Sequence, residues 1–250
     1  MQTTEEKTKF QDPYVTAKGE TRASVDLKEL KTLWFNTGTL CNLSCQNCYI
    51  ESSPTNDRLV YLTLEDVRPY LDEIEEQSYP VKKIGFTGGE PFLNPHIMPI
   101  LRECLERGFE VLVLTNAYKV INKHKEDLLK LKEQHPGQLQ LRISLDHHKQ
   151  EVHESERGKK TFVPTMKNVK WLVDNGFPIT VAGRSLIEEE QETAIQGYNN
   201  TFKEYDIPLT LDQNNLGIFA EMIQNEDVPE ITTSCWGILN VSPDDQMCAS

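Results

Sequence analysis

Two rhythms of apolar residues divide the chain. Short apolar runs flanked by turn residues predict strands at Thr32–Thr37, Lys83–Phe86, Glu110–Leu114, Phe177–Ala182 and Pro208–Leu211. Gln138–Leu145 alternates apolar and polar with the period of two that a half-buried strand requires. Between these segments the period lengthens to that of a helix. Val67, Tyr70, Leu71 and Ile74 fall at i, i+3, i+4 and i+7, and Thr63 with Asp66 three residues on is close to a capping box. Further helices are expected around Ile97–Glu106, stopped by Gly108, and over about Lys123–Glu133, broken by His135-Pro136-Gly137. Met166, Val169, Leu172 and Val173 mark another, closed by Asn175-Gly176, and Glu188–Tyr205 the last. Six strand–helix alternations predict an α/β fold with parallel strands inside, helices outside and right-handed crossovers. A closed barrel needs eight such units in about 250 residues, so the expectation is a partial (β/α)6 barrel with active residues at the C-terminal ends of its strands. The boundaries read as a polar N-terminal segment (1–30), the barrel core (31–212) and a short C-terminal extension (213–250).

Charge narrows the partners. Lys and Arg number 26 against 39 Asp and Glu, a formal net charge of −13. A nucleic acid held by its phosphates needs basic stripes, and an acidic surface repels anionic membrane. No apolar run approaches the roughly 18 residues of a membrane helix, and the polar start lacks the apolar stretch of a secretory signal. A cytoplasmic location without membrane or nucleic-acid partners is therefore expected. In that setting the six cysteines point to metal binding or catalysis rather than to disulfides.

Three of them, in Cys41-Asn-Leu-Ser-Cys45-Gln-Asn-Cys48, begin just after the first strand. Thiolates so close in sequence wrap one small centre, and soft sulfur ligands select zinc, copper(I) or iron–sulfur clusters. A four-iron cubane held by three cysteines keeps one iron without a protein ligand, a place for substrate or cofactor. Zinc would need a fourth ligand, for which Glu51 stands nearest. On these residues alone, a non-catalytic zinc or iron–sulfur α/β protein stays open, whereas an ordinary sugar-phosphate barrel enzyme leaves the spacing unexplained.

CxxxCxxC after the first strand of a strand–helix series resembles the radical S-adenosylmethionine (SAM) superfamily. Thr87-Gly88-Gly89-Glu90-Pro91, at the end of the second strand, looks like that family's GGE motif. Arg142-Ile-Ser144-Leu-Asp146 followed by Glu151-Val-His153-Glu-Ser-Glu-Arg157-Gly158, together with Leu114-Thr115-Asn116, is similar to the sulfatase-maturating and peptide-modifying branch. The matches run from about Thr32 to Arg184. One position departs: the residue before the third cysteine, often aromatic in the family and near the adenine, is Asn47, with Tyr49 beyond Cys48. The adenine contact then falls to Tyr49 or to a hydrogen bond from Asn47.

The resemblance implies a [4Fe–4S] cluster on Cys41, Cys45 and Cys48, with the amine and carboxylate of SAM completing the open iron. Glu90 suits the amine, Gly88 and Gly89 allow close backbone approach, and Thr115 and Asn116 join the cofactor site. Ser144 is expected on the ribose or methionyl group and Arg184 on the carboxylate. A one-electron reductant such as flavodoxin or ferredoxin would drive cleavage of the C5′–S bond, and the 5′-deoxyadenosyl radical would take hydrogen from an unidentified substrate. Branch resemblance favours a peptide or protein side chain over a small-molecule or cofactor precursor.

Other residues read more plainly. His153 and Arg157 are expected to order the loop after the fourth strand, His147 and His148 to be exposed, and Asp146 to line the substrate mouth. Cys104, on an apolar helix face, reads as core. Cys235 and Cys248 lie in the C-terminal extension, where the peptide-modifying branch often carries a second, auxiliary iron–sulfur cluster. Two cysteines are too few for four ligands and the sequence stops two residues after Cys248, so an incomplete auxiliary site is the expectation there.

Overall fold

The computed structural model describes residues 8–24, 29–220 and 229–235. Six strands form one sheet: β1 (Thr32–Asn36), β2 (Lys83–Thr87), β3 (Glu110–Thr115), β4 (Leu139–Ser144), β5 (Ile179–Ser185) and β6 (Leu216–Ala220). All five pairings are parallel and the strands lie side by side in chain order. Helices fill the crossovers: α1 (Leu64–Glu76), α2 (Ile97–Glu106), α3 (Lys125–Gln134), α4 (Gln150–Arg157), α5 (Phe162–Asp174) and α6 (Gln191–Glu204). Sequential parallel order with helices in all five crossovers is the partial barrel that the two rhythms predict.

The core lies between sheet and helices. Ile84, Phe86, Val111, Val113, Leu141 and Val181 are buried, each in register with a buried neighbour on the next strand. Phe35 of β1 stacks on Phe86 at 5.8 Å and meets Tyr70 of α1 edge-on at 5.7 Å, which fixes this face as the helix side. α1 begins where the sequence indicates: Thr63 Oγ1 accepts from Asp66 N, and the Asp66 carboxylate accepts from Thr63 N. Its inward stripe is Val67, Leu71 and Ile74. Cys104 of α2 is fully buried, as expected of a core residue.

The last strand is not where the apolar run at Pro208–Leu211 puts it. That segment is a connector with buried Leu211, preceded by buried Ile207, and it joins no ladder; Pro208 has no N–H to give one. After a turn in which Asp212 accepts from Asn214 N, Leu216–Ala220 completes the sheet by pairing with Val181–Ser185. The compact barrel unit runs from Lys31 to Met222.

The remaining described residues form a second unit joining both ends of the chain. Arg22 and Thr232 form an antiparallel bridge, and Ala23 N donates to Ile231 O at 2.9 Å. The Glu230 carboxylate accepts from Phe10 N, Ala17 N and Arg22.

Leu71→Ala should cost about 2–5 kcal/mol of stability, because it empties a fully buried site between α1 and the sheet. Denaturant unfolding of the purified chain measures it, and a loss below about 0.5 kcal/mol would contradict this packing.

Candidate metal and cofactor centre

The cysteine loop leaves β1 at the C-terminal edge of the sheet and is fastened from two sides. On the β2 side the chain continues strand-like pairing beyond β1: Gly89 N donates to Gly38 O at 2.8 Å and Glu90 N to Leu40 O at 3.1 Å. Two glycines make this approach feasible. Gly88 has φ +127°, and a Cβ on it would stand 2.7 Å from both Asn36 Oδ1 and Gly38 O; a Cβ on Gly89 would collide with the Leu40 carbonyl. Gly88-Gly89 thus brings Glu90 against the residue that precedes Cys41.

Glu90 is buried, and its carboxylate is set by three donors. Oε1 accepts from Phe92 N at 3.1 Å and Thr115 Oγ1 at 2.8 Å; Oε2 accepts from Asn116 N at 2.8 Å. Burial outweighs these hydrogen bonds and pushes the carboxyl up to about 6. Asn116 also reaches the loop: its Nδ2 donates to Asn42 Oδ1 at 2.9 Å and lies 3.8 Å from Cys41 Sγ. Asn42 Nδ2 in turn donates to Tyr118 O at 2.8 Å. Asn42, between two motif residues, is a loop-setting residue that the spacing of the cysteines did not single out.

The opposite side is electrostatic. Gln46 N donates to Glu156 O and Asn47 N to Glu156 Oε1, both at 2.9 Å. Arg184, near the end of β5, donates through Nη1 to Asn47 O at 3.0 Å and to Glu156 Oε1 at 3.2 Å. Buried Asp146, just past β4, accepts from Arg157 Nε at 2.6 Å and Nη2 at 2.8 Å, with Arg184 Nε 3.6 Å away. Glu156, Arg184, Asp146 and Arg157 therefore alternate in sign around the loop. Burial raises the Asp146 carboxyl, but the adjacent Arg157 and then Arg184 win and hold it below the usual carboxylate range. The motif spacing assigns Glu156 no role; its place one residue before Arg157 on the buried side of α4 is what reveals it.

The thiols lie near enough to act on one another electrostatically. Cys41 is buried, which chiefly pushes it up to about 12, with Glu90 and Cys45 adding to the rise. Burial also raises Cys45, against the pull of Arg157, and Cys48 contributes to that rise. Ser52 N donates to Cys48 Sγ at 3.3 Å. Among the described residues, the group of three potential ligands with atoms all within 4.8 Å of one another is His147, His148 and Glu189, not the cysteines.

The other expected residues are less concentrated. Ser144, in register with Ala182, ends β4 at the same edge of the sheet. Tyr49 is 63% exposed, and both backbone groups of Asn47 are engaged in the clamp. His147 is buried and His148 half-buried, not exposed: their rings stack on one another and face Glu189. They turn inward because α6 packs over them, with Gly197 leaving room for the His148 ring. Arg157 does order the loop after β4, but His153, fully buried, has no hydrogen-bond partner for either ring nitrogen among the described residues and packs edge-on against Phe162. Asp146 is sealed behind Arg157 rather than lining a mouth. Cys235 ends a short helical turn with Thr232 Oγ1 3.7 Å away, and Cys248 lies outside the described residues. Among the described residues no helix is long and apolar enough to cross a membrane.

Removing one partner of a buried ion pair strands the other. Arg157→Met should therefore cost about 3–5 kcal/mol near neutral pH. Because Asp146 is held below its ordinary range, that contribution is present above about pH 4 and fades as pH falls further, so the difference from wild type should shrink in acid. Denaturant unfolding across pH tests both; an equal loss at every pH would contradict the pairing.

Residues 35–196 match the radical SAM superfamily. The antilisterial bacteriocin subtilosin biosynthesis protein AlbA of Bacillus subtilis is 36% identical over 143 residues, which cover 57% of this chain and 30% of AlbA. Streptococcus suis SuiB bound to S-adenosylmethionine superposes with a TM-score of 0.61 at 16% identity, over 80% of this chain and 42% of SuiB. SuiB bound to the precursor peptide SuiA gives 0.58 at 16% identity, over 78% and 40%. The chain thus spans less than half the length of these relatives, and the two structures speak for the fold alone. With the family match extending from β1 into α6 and the three cysteines placed at the C-terminal edge of the sheet, the chain belongs to the radical SAM superfamily.

Proposed function

We propose that this chain binds a [4Fe–4S] cluster through Cys41, Cys45 and Cys48, binds SAM beside it, and acts by radical chemistry on a peptide or protein side chain. The observation that carries this reading is the double clamp, which brings three partly or fully buried thiols, a buried carboxylate and a glycine turn to one edge of a parallel sheet. When bound, cluster and SAM supply one-electron cleavage of the C5′–S bond and a 5′-deoxyadenosyl radical that takes hydrogen from the substrate.

The chain's own residues then have distinct tasks. The three thiols would hold the cluster as thiolates, releasing their protons to solvent as metal binds, which a buried thiol does only for a strong ligand interaction. Glu90 Oε1 is filled by two donors, whereas Oε2 holds one and keeps a lone pair for the SAM ammonium. Ser144, at the end of β4, would hydrogen-bond the ribose or methionyl group. Arg184 acts chiefly by gripping the Asn47 carbonyl, so its contact with the SAM carboxylate is secondary to holding the loop. Tyr49 is available for the adenine edge. A flavodoxin or ferredoxin would deliver the electron. The peptide class of substrate follows the similarity to AlbA, a bacteriocin biosynthesis protein, and the fold shared with SuiB, solved with its precursor peptide. An auxiliary iron–sulfur cluster is a secondary part of the proposal, with Cys235 and Cys248 as its candidate ligands.

Anaerobic reconstitution should give a brown protein with about four iron per chain. With dithionite it should turn SAM into 5′-deoxyadenosine and methionine, and Cys45→Ala should lose iron and cleavage together. A colourless zinc protein, or full cleavage in the variant, sinks this reading.

A further inference from the structure

We propose that His147 is a proton-sensitive pin: while its ring is neutral it holds the start of α4, and through α4 the clamp on the cysteine loop. His147 and His148 follow β4, with ring centroids 4.3 Å apart. His147 Nδ1 accepts from the backbone N–H of Lys149 at 3.0 Å. Lys149 is the N-cap residue of α4, and its own side chain makes no capping hydrogen bond. A ring nitrogen that accepts carries no proton, so the neutral ring keeps its single proton on Nε2. That atom faces Glu189 Oε2 at 3.6 Å, and His148 Nε2 lies 3.0 Å from the same oxygen. Glu189, in the β5–α6 connection, thus spans both rings.

These three side chains are spaced closely enough to invite a single metal ion. Two features weigh against it. His147 turns an N–H rather than a lone pair toward Glu189, and Lys149 Nζ, 3.8 Å from Glu189 Oε1, already brings a cation there.

Protonation changes the pin at one atom. The second proton must go to Nδ1, where its N–H would point at the N–H of Lys149 and the bond would be lost. Around the ring, His148 and Lys149 oppose a charge and Glu189 and Glu151 favour it, while His153 of α4 lies close enough to interact and Tyr198 of α6 meets His148 edge-on. Burial outweighs the carboxylates and holds His147 down at about 4. A histidine depressed in the pinned state favours that state above its ordinary value of about 6.5 and releases it as pH falls toward 4. α4 carries Glu156 and Arg157, so release reaches the backbone of Gln46 and Asn47.

Hydrogen–deuterium exchange on the full chain without cluster or SAM tests this, so its outcome is independent of the radical chemistry. Corrected for intrinsic rate, amides 149–157 should exchange about tenfold or more faster near pH 5 than near pH 7.5, since one-proton linkage allows up to about tenfold per pH unit. His147→Asn offers Oδ1 to Lys149 without titrating and should exchange slowly at both values. His147→Phe, with no acceptor, should exchange fast at both. Equal or slower wild-type exchange near pH 5, or a His147→Asn variant that keeps the wild-type pH dependence, would overturn the pin.

Discussion

A loop with three cysteines in eight residues has too few apolar side chains to fix its own shape, so its shape must be imposed from outside. In this chain the imposing interaction is a run of alternating charges. Glu156 receives Gln46 and Asn47, Arg184 holds the Asn47 carbonyl and Glu156, and Asp146 ties Arg184 to Arg157. Buried ion pairs are a weak source of net stability, because desolvation consumes most of the attraction. Their worth here is in direction: each charge has a specific partner, so α4, the end of β4 and the end of β5 can meet the loop in only one arrangement.

The other half of the clamp is made of backbone. Strand pairing continues past β1 into Gly38–Leu40, and the Gly88-Gly89 turn lets Glu90 close against it without a side chain in the way. Glu90 and Asn116 then connect the ends of β2 and β3 to the first cysteine through buried hydrogen bonds. Hydrogen bonds in such surroundings are costly to leave unmade, which favours a single geometry. Three strands on one side and two on the other thus converge on eight residues.

Much of this was legible in the sequence, and for a physical reason. Strands covered on both faces read as apolar runs, and α1 announces itself through Thr63, Asp66 and the Val67–Leu71–Ile74 stripe. The cysteine spacing and Gly88-Gly89-Glu90 are local, so they read directly. Pro208–Leu211 mimics a strand because Leu211 is apolar where a connector packs and not because a ladder forms. What stayed hidden depends on pairs distant in sequence. Glu156 meets Asn47 across 109 positions and Arg184 across 137, and nothing local to either residue encodes the partner. His147 and His148 looked like surface residues because the packing of α6 and the placement of Glu189 are set by tertiary structure alone.

Every role proposed for these residues depends on three cysteines holding a cluster with one position open to SAM. Electron paramagnetic resonance of the reconstituted, dithionite-reduced chain, recorded before and after SAM is added, tests this most directly. The reduced-cluster signal should shift its g-values when SAM binds. A signal that SAM leaves unchanged would contradict it.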